Sequence, residues 1–199
     1  MKHLFAILFF VPAVVALTAC KSALVLVSGV RQPRIESVTS ISRYLERKKI
    51  DHFDTSYVCC YSAALYRVMF RVKDFPTTLL FNRLGSSIIL PDTGYCPGKA
   101  EVFIRNLSPS TVLRTDNRFS LDEFRQWLLP VEWHHGTGQQ ADVTLIVFWA
   151  QYFGSLNNNA FRVMKALADN SQVNSRIFLV NVDYMESWHL KSKPEISIK

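Results

Sequence analysis

Residues 143–157 read VTLIVFWAQYFGSLN, and the apolar run at their start, residues 143–150, decides the fold class. An uninterrupted apolar run of this length, rich in β-branched and aromatic residues, predicts a strand that is buried on both faces of a sheet. Such strands are typical of parallel sheets covered by helices. A helical pattern at residues 160–169 and a second buried strand, IFLVNV at residues 177–182, follow it. The segment therefore predicts a strand–helix–strand unit, and a short helix at residues 186–193 comes after it.

The same alternation of strands and helices precedes this segment. We predict strands at residues 23–28, 50–54, 77–81 and 87–90, and helices at residues 35–45, 62–72, 100–107 and 120–129. The last of these helices begins with a capping box, in which Ser120 and Glu123 would satisfy each other's backbone amides. Residues 130–142 (PVEWHHGTGQQAD) are polar and without periodicity, which predicts a linker. This order predicts an α/β protein with a mixed sheet.

Composition fits a globular protein, since 49% of the 199 residues are apolar and 20% are charged. The net charge of +7 is spread along the chain, so we predict a solvated basic surface and no nucleic-acid partner. The basic cluster at residues 47–49 is one of only two short basic runs in the chain. His134 and His135 have no further ligand-type residues at metal-binding spacing, and we predict no metal and no cofactor.

The first residues predict export from the cytosol. Residues 1–19 have a short polar start, an apolar run and small residues at the end, as in a cleavable signal peptide. The apolar run is shorter than the ~20 residues that cross a bilayer. Leu17–Cys20 resembles the lipobox of bacterial lipoproteins, whereas Asn106 begins a triplet for N-glycosylation, weakened by Pro109. We favour the endoplasmic reticulum lumen or secretion; a bacterial envelope lipoprotein, lipidated at Cys20, is the alternative.

The chain has four cysteines, Cys20, Cys59, Cys60 and Cys96, and none of them are paired at the two-residue spacing of redox and zinc motifs. Adjacent cysteines rarely bond to each other, because a disulfide needs Cα atoms about 5.5 to 6 Å apart. A disulfide between Cys96 and Cys59 or Cys60 is one expectation, and free buried thiols are the other.

The segment at residues 143–157 resembles the active-site strand and turn of thioredoxin, where a strand ending in Phe-Trp-Ala runs into a Cys-Gly-Pro-Cys motif. Residues 178–183, FLVNVD, are similar to the next thioredoxin strand. By this resemblance the four motif positions are Phe153, Gly154, Ser155 and Leu156. Asn157 takes the place of the lysine after the motif, and Val147 that of the buried aspartate. Both redox cysteines are therefore replaced, and thiol chemistry at this turn is not expected.

Residues 72–85, VKDFPTTLLFNRLG, resemble the cis-proline loop, strand and hairpin turn of the same family. The resemblance implies a cis bond before Pro76, flanked by Phe75 and Thr77, with residues 100–107 as the closing helix. The amino-acid sequence of this segment is similar to that of the domains without a redox motif in quiescin sulfhydryl oxidases and protein disulfide isomerases.

The two resemblances together divide the chain into four parts. Residues 1–19 are the signal peptide, residues 22–107 a thioredoxin-like unit, residues 108–142 a helical connection and linker, and residues 143–199 a second unit that stops before its own cis-proline loop. The fold class is thus a three-layer thioredoxin-like α/β fold with one complete and one truncated unit. The truncated unit would expose strand edges and the helix residues Phe161 and Met164. Either the first unit covers them, or the chain continues past Lys199.

The resemblance implies a redox-inactive protein of the secretory pathway that binds polypeptide clients or a protein partner, like a scaffold of the disulfide-isomerase type. In this family the cis-proline loop lines a groove that holds extended peptides, and such a groove can act without cysteines. An oxidoreductase that uses Cys59, Cys60 or Cys96 is an alternative. Membrane attachment is expected only through lipid on Cys20 or through an anchor in a missing C-terminal part.

Overall fold

The structure, a computed structural model, describes residues 29–72, 75–90, 97–133 and 141–190. The predicted signal peptide, the strand at residues 23–28, Cys20, Cys96, the two histidines and the C-terminal residues from 191 lie outside these ranges. The strands are β1 (Ile35–Glu36), β2 (Thr55–Cys59), β3 (Thr77–Asn82), β4 (Ser86–Ile88), β5 (Thr115–Ser120), β6 (Leu128–Trp133), β7 (Val143–Trp149), β8 (Ser175–Asn181) and β9 (Tyr184–Met185). The α-helices are α1 (Val38–Lys48), α2 (Ser62–Val72), α3 (Pro97–Arg105), α4 (Leu121–Arg125) and α5 (Asn157–Ala168), and two 3-10 turns span Gln151–Leu156 and Glu186–Trp188.

A seven-stranded mixed sheet organises the fold, with strand order β5-β4-β3-β7-β8-β2-β6. The pairs β7–β8 and β8–β2 are parallel, whereas the pairs toward both edges are antiparallel. All seven residues of β7 are buried, as the apolar run predicts for a strand covered on both faces. A mixed α/β fold with a mixed sheet is therefore confirmed.

Helices cover both faces of this sheet, so the fold has three layers. Alternate residues of β7 divide between two apolar clusters, with Leu145 and Trp149 on one side and Ile146 and Phe148 on the other. The first cluster includes residues of α1, α3 and α5, and the second includes residues of α2 and α4. The period of two along a strand explains this division, because successive side chains point to opposite faces.

The two predicted units do not form separate sheets. β7 lies beside β3, and β8 lies beside β2, so strands from residues 143–199 fill the space between strands from residues 22–107. The unpaired backbone edges of a two-stranded β7–β8 ribbon are thereby satisfied. Phe161 and Met164, which were expected to be exposed, are 8% and 1% exposed. The first unit covers the second, which is one of the two outcomes that the sequence left open.

Several local predictions were wrong. The second strand is Thr55–Cys59 and not residues 50–54, where Phe53 is buried outside the sheet. Residues 128–133 are the edge strand β6, where the end of a helix (128–129) and the start of the linker (130–133) were predicted. Pro130 lies where the register of β6 with β2 shifts, and an edge strand tolerates proline there. Ser120 makes no side-chain capping bond, and the Glu123 carboxylate, which would complete the capping box, pairs with Arg71 at 2.9 Å instead.

The helix at Ser62–Val72 is confirmed. The strands β1, β5 and β9 were not predicted, and the helix predicted at residues 186–193 is, within the described residues, the 3-10 turn at Glu186–Trp188. The other described elements differ from the predictions mainly at their ends.

Candidate functional site

The site is built around the turn that follows β7, the Gln151–Leu156 turn. Asn157, fully buried at the start of α5, holds this turn closed. Its side-chain amide donates to the carbonyl oxygens of Ala150 at 2.8 Å and Gly154 at 3.2 Å, and its side-chain oxygen accepts from the Ala150 amide at 3.4 Å. Asn157, which the resemblance aligns with the lysine after the redox motif, thus fixes the turn in place.

The four motif positions offer mainly packing groups. Phe153 is half-buried, and Leu156 is 40% exposed. Gly154 has φ 56° and ψ −128°, a conformation that glycine adopts far more readily than other residues. Val147, at the position of the family's buried aspartate, is fully buried in apolar surroundings. The side chains of Phe153 and Leu156 therefore occupy the two positions at which a redox motif would have cysteine sulfur atoms.

The predicted cis bond between Phe75 and Pro76 is confirmed. The ring of Phe75 stacks on Phe153, with centroids 6.4 Å apart and planes inclined by 16°, and it meets Phe148 edge-on at 5.7 Å. Thr77 follows as the first residue of β3, opposite Phe148. The structure thus brings the loop and the turn together, although 78 positions separate Phe75 from Phe153 in the chain. We call the half-buried surface formed by Phe75, Pro76 and Phe153 the aromatic face.

A buried carboxylate, which sequence reasoning missed, supports the other end of the turn. Asp183 is 1% exposed, and its Oδ2 accepts from the Gln151 amide and from the side-chain amide of Asn181, each at 2.8 Å. Its Oδ1 finds no partner among the described residues. Burial raises the pKa of Asp183 to about 7, against the lowering effect of these hydrogen bonds. The Val-Asp ending of the strand was noted as a family resemblance, but burial could not be inferred from it.

A cleft of about 470 Å³ opens on the side of the turn that faces α1. Tyr44 and Tyr152 contribute to its wall, together with Gly154 from the turn and with charged residues of residues 31–36 and of the end of α1. Tyr44 is nearly buried, stacks on Trp149 at 5.1 Å, and accepts a 3.4 Å hydrogen bond from Asn157. One sequence signal points to this cleft, the basic run at residues 47–49, which composition alone predicts as solvated surface.

Cys59 and Cys60 lie at the end of β2, away from the motif positions in the chain. Cys59 is buried, and burial raises the pKa of its thiol to about 12. Cys60 is half-buried, and both are free thiols. Their predicted pairing with Cys96 falls on a residue outside the described ranges. Because a thiolate is the reactive form, Cys59 is poorly suited to redox chemistry.

The remaining predicted positions stand apart from this site. Asn106 is exposed just after α3, where its side-chain amide donates to the Val102 carbonyl oxygen at 2.9 Å. Within the described ranges, no group of three or more histidine, cysteine or acidic residues could hold a metal ion. In the same ranges, no helix has the length and apolarity needed to span a membrane.

Comparison of the chain with models of known protein families, with curated proteins and with solved structures found no match.

Proposed function

We propose that this chain is a redox-inactive thioredoxin-like module of the secretory pathway that binds extended segments of other polypeptides at the aromatic face. The observation that supports this most is the stacking of Phe75 on Phe153. In this contact the cis-proline loop lies against the turn, as the resemblance to thioredoxin implies. An aromatic contact stands where thioredoxin has cysteine sulfur atoms.

The chemistry of the turn favours binding over catalysis of disulfide exchange. Exchange needs an attacking thiolate and a second thiol that resolves the mixed disulfide. Phe153 and Leu156 supply neither. Cys59 is one of the thiols on which an alternative redox role would depend. It is buried, and burial raises the pKa of its thiol.

The aromatic face has the character of a peptide-binding surface. Phe75 and Phe153 are each half-buried, so they are held in place by neighbours while part of each ring stays accessible. Leu156, 40% exposed, extends the apolar surface along the turn. Partly exposed aromatic side chains in a shallow groove are a common means of holding an extended polypeptide.

The proposed location rests on residues 1–19, which lie outside the described residues. Their pattern is that of a signal peptide and supports entry into the secretory pathway.

A binding measurement with an unfolded polypeptide tests this proposal. The probe is reduced lactalbumin alkylated with iodoacetamide, which has no thiols and gains no negative charge from the alkylation. We expect saturable binding by fluorescence anisotropy, weakened about tenfold by Phe153→Ser, because a lost aromatic contact costs on the order of 1 to 2 kcal/mol. Phe75→Ser should act in the same direction.

Phe70→Ser is the matched control, because Phe70 is 81% exposed on α2 and outside the aromatic face. It should leave binding unchanged, and circular dichroism should show that all three variants are folded. Equal weakening by Phe70→Ser, or no binding by the wild type, would contradict the proposal.

A catalytic assay separates this proposal from an oxidoreductase. With dithiothreitol as reductant, the wild type should reduce insulin disulfides no faster than dithiothreitol alone. Rapid turnover that Cys59→Ser or Cys60→Ser abolishes would instead support the oxidoreductase.

A further inference from the structure

The cleft beside the turn is strongly basic. Four cationic side chains line it, from Arg31, Arg34, Arg47 and Lys48, and Glu36 is the one acidic residue among the described lining residues. The Glu36 carboxylate already accepts a hydrogen bond from the Ser40 hydroxyl at 2.6 Å. The cleft therefore carries an excess of three positive charges within a space of about 470 Å³.

Described neighbours do not neutralise these cationic groups. Across the described residues, none of the four forms an ion pair, whereas arginines elsewhere on the surface do, such as Arg71 with Glu123. Arg47 and Lys48 lie over the ring of Tyr44, at 5.8 and 6.0 Å from its centroid. An aromatic ring attracts cations weakly and leaves their charge available to a ligand.

The wall of the cleft is preformed by backbone contacts. The amide of Arg31 donates to the carbonyl oxygen of Tyr152 at 2.9 Å, which fastens the segment before β1 to the turn. Gly29 approaches Gly154 so closely that a Cβ at Gly29 would lie 4.0 Å from the Cα of Gly154. Tyr44, held by Asn157 and stacked on Trp149, forms a rigid side. The backbone and Tyr44 thus form a fixed wall, and the four exposed cationic side chains extend from its rim.

We propose that this cleft is a second binding site, distinct from the aromatic face, which takes a small organic molecule bearing at least two phosphate groups. Its volume lies in the range of about 300 to 1,000 Å³ that is usual for small-molecule sites. A single phosphate would leave most of that space empty and most of the excess charge uncompensated. Arginine guanidinium groups suit phosphate, because their planar fork donates two parallel hydrogen bonds to it. The tyrosine rings provide an apolar wall for the organic part.

Calorimetric titration of the full chain tests this site, with inorganic pyrophosphate and metal-free ATP as probes and adenosine as the uncharged reference. Both anions should bind saturably with a Kd of about 1 mM or tighter. Affinity should fall as sodium chloride is raised, because the attraction is screened. Adenosine should bind far more weakly. Absence of binding by both anions would overturn the proposal.

Charge-removing variants locate the site. Arg34→Gln combined with Arg47→Gln should weaken pyrophosphate binding about tenfold or more, because each lost hydrogen bond between charged groups lowers the affinity by about this factor. The matched control is Arg67→Gln with Arg114→Gln, which removes the same charge from exposed residues that do not line the cleft. Both proteins should melt at the wild-type temperature. Equal weakening by the two pairs would show general charge attraction and overturn the assignment.

A final arm distinguishes a small-molecule site from a nucleic-acid surface. A single-stranded oligonucleotide should bind no more tightly than ATP and should be displaced by it. Tight oligonucleotide binding that the cleft variants leave unchanged would place phosphate recognition elsewhere.

Discussion

The two sides of the Gln151–Leu156 turn have opposite chemical character. On one side Phe153 packs against Phe75 and forms the aromatic face. On the other, Tyr152 and Gly154 border the basic cleft. Successive residues of one short turn thus serve an apolar surface and a charged one. The comparison shows that a turn without cysteines can organise two surfaces of different character.

Both sides depend on the same few internal bonds. Asn157 clamps the turn to Ala150 at its start, and Asp183 accepts from its first amide. Changes at these shared supports should therefore disturb both surfaces together, whereas changes in one surface should spare the other. Substitutions at Asp183, Asn157 and Gly154 test these supports, and their expected effects on stability decrease in that order.

The largest effect should come from Asp183, as a dependence of stability on pH. Because its pKa is raised to about 7 in the folded state, the folded protein keeps this proton between about pH 4 and pH 7, where the unfolded chain has lost it. Stability should therefore be highest below pH 4 as far as this group is concerned, and should fall as pH rises to 7. The total change is on the order of 4 kcal/mol.

Urea denaturation across this pH range measures it, with Asp183→Asn expected to remove the slope. Asp169→Asn, at an exposed residue paired with Lys165, serves as the control and should keep the slope. A wild type that gains stability from pH 4 to pH 7, with Asp183→Asn gaining equally, would contradict the burial of this carboxyl group.

Asn157→Ala should destabilise the fold by about 3 kcal/mol, because it removes a fully buried side chain that accepts from the Ala150 amide and donates to the carbonyl oxygens of Ala150 and Gly154. The neighbouring Asn158→Ala, at an exposed residue, should change stability by no more than about 0.5 kcal/mol. Chemical denaturation gives both values. If Asn157→Ala weakened only one of the two binding surfaces at full stability, the turn would not be their common support.

Gly154→Ala should cost about 1 to 3 kcal/mol, since a side chain strains a backbone with φ 56°. Gly98→Ala offers a control of opposite sign: no atom lies within 4 Å of its added Cβ, and alanine favours helix α3 by roughly 0.5 to 1 kcal/mol. Thermal unfolding should show the first variant below the wild type and the second above it. A neutral Gly154→Ala would mean that the turn adapts without its glycine.

Sequence reasoning reached the elements that are encoded locally. The strand at Val143–Trp149 was predictable because its apolar run has no other stable placement than burial on both faces. The position of the Pro76 loop beside the turn was expected only from the family resemblance. In contrast, the cleft combines residues 29–36, 44–48 and 151–158, which no local pattern connects. The strand at Leu128–Trp133 was missed because an edge strand with proline lacks the usual alternation.

The interleaved sheet has a consequence for how the chain folds. β2 and β3 are made earlier in synthesis than their neighbours β8 and β7, and the hydrogen bond from the Ile177 amide to Asp54 spans 123 positions. Long separations of this kind slow folding, because a large loop must close before the contacts repay its entropy. β2 can pair with β6 and β3 with β4, but the other edge of each strand stays open, exposed to aggregation or available to a chaperone, until the ribosome delivers β7 and β8.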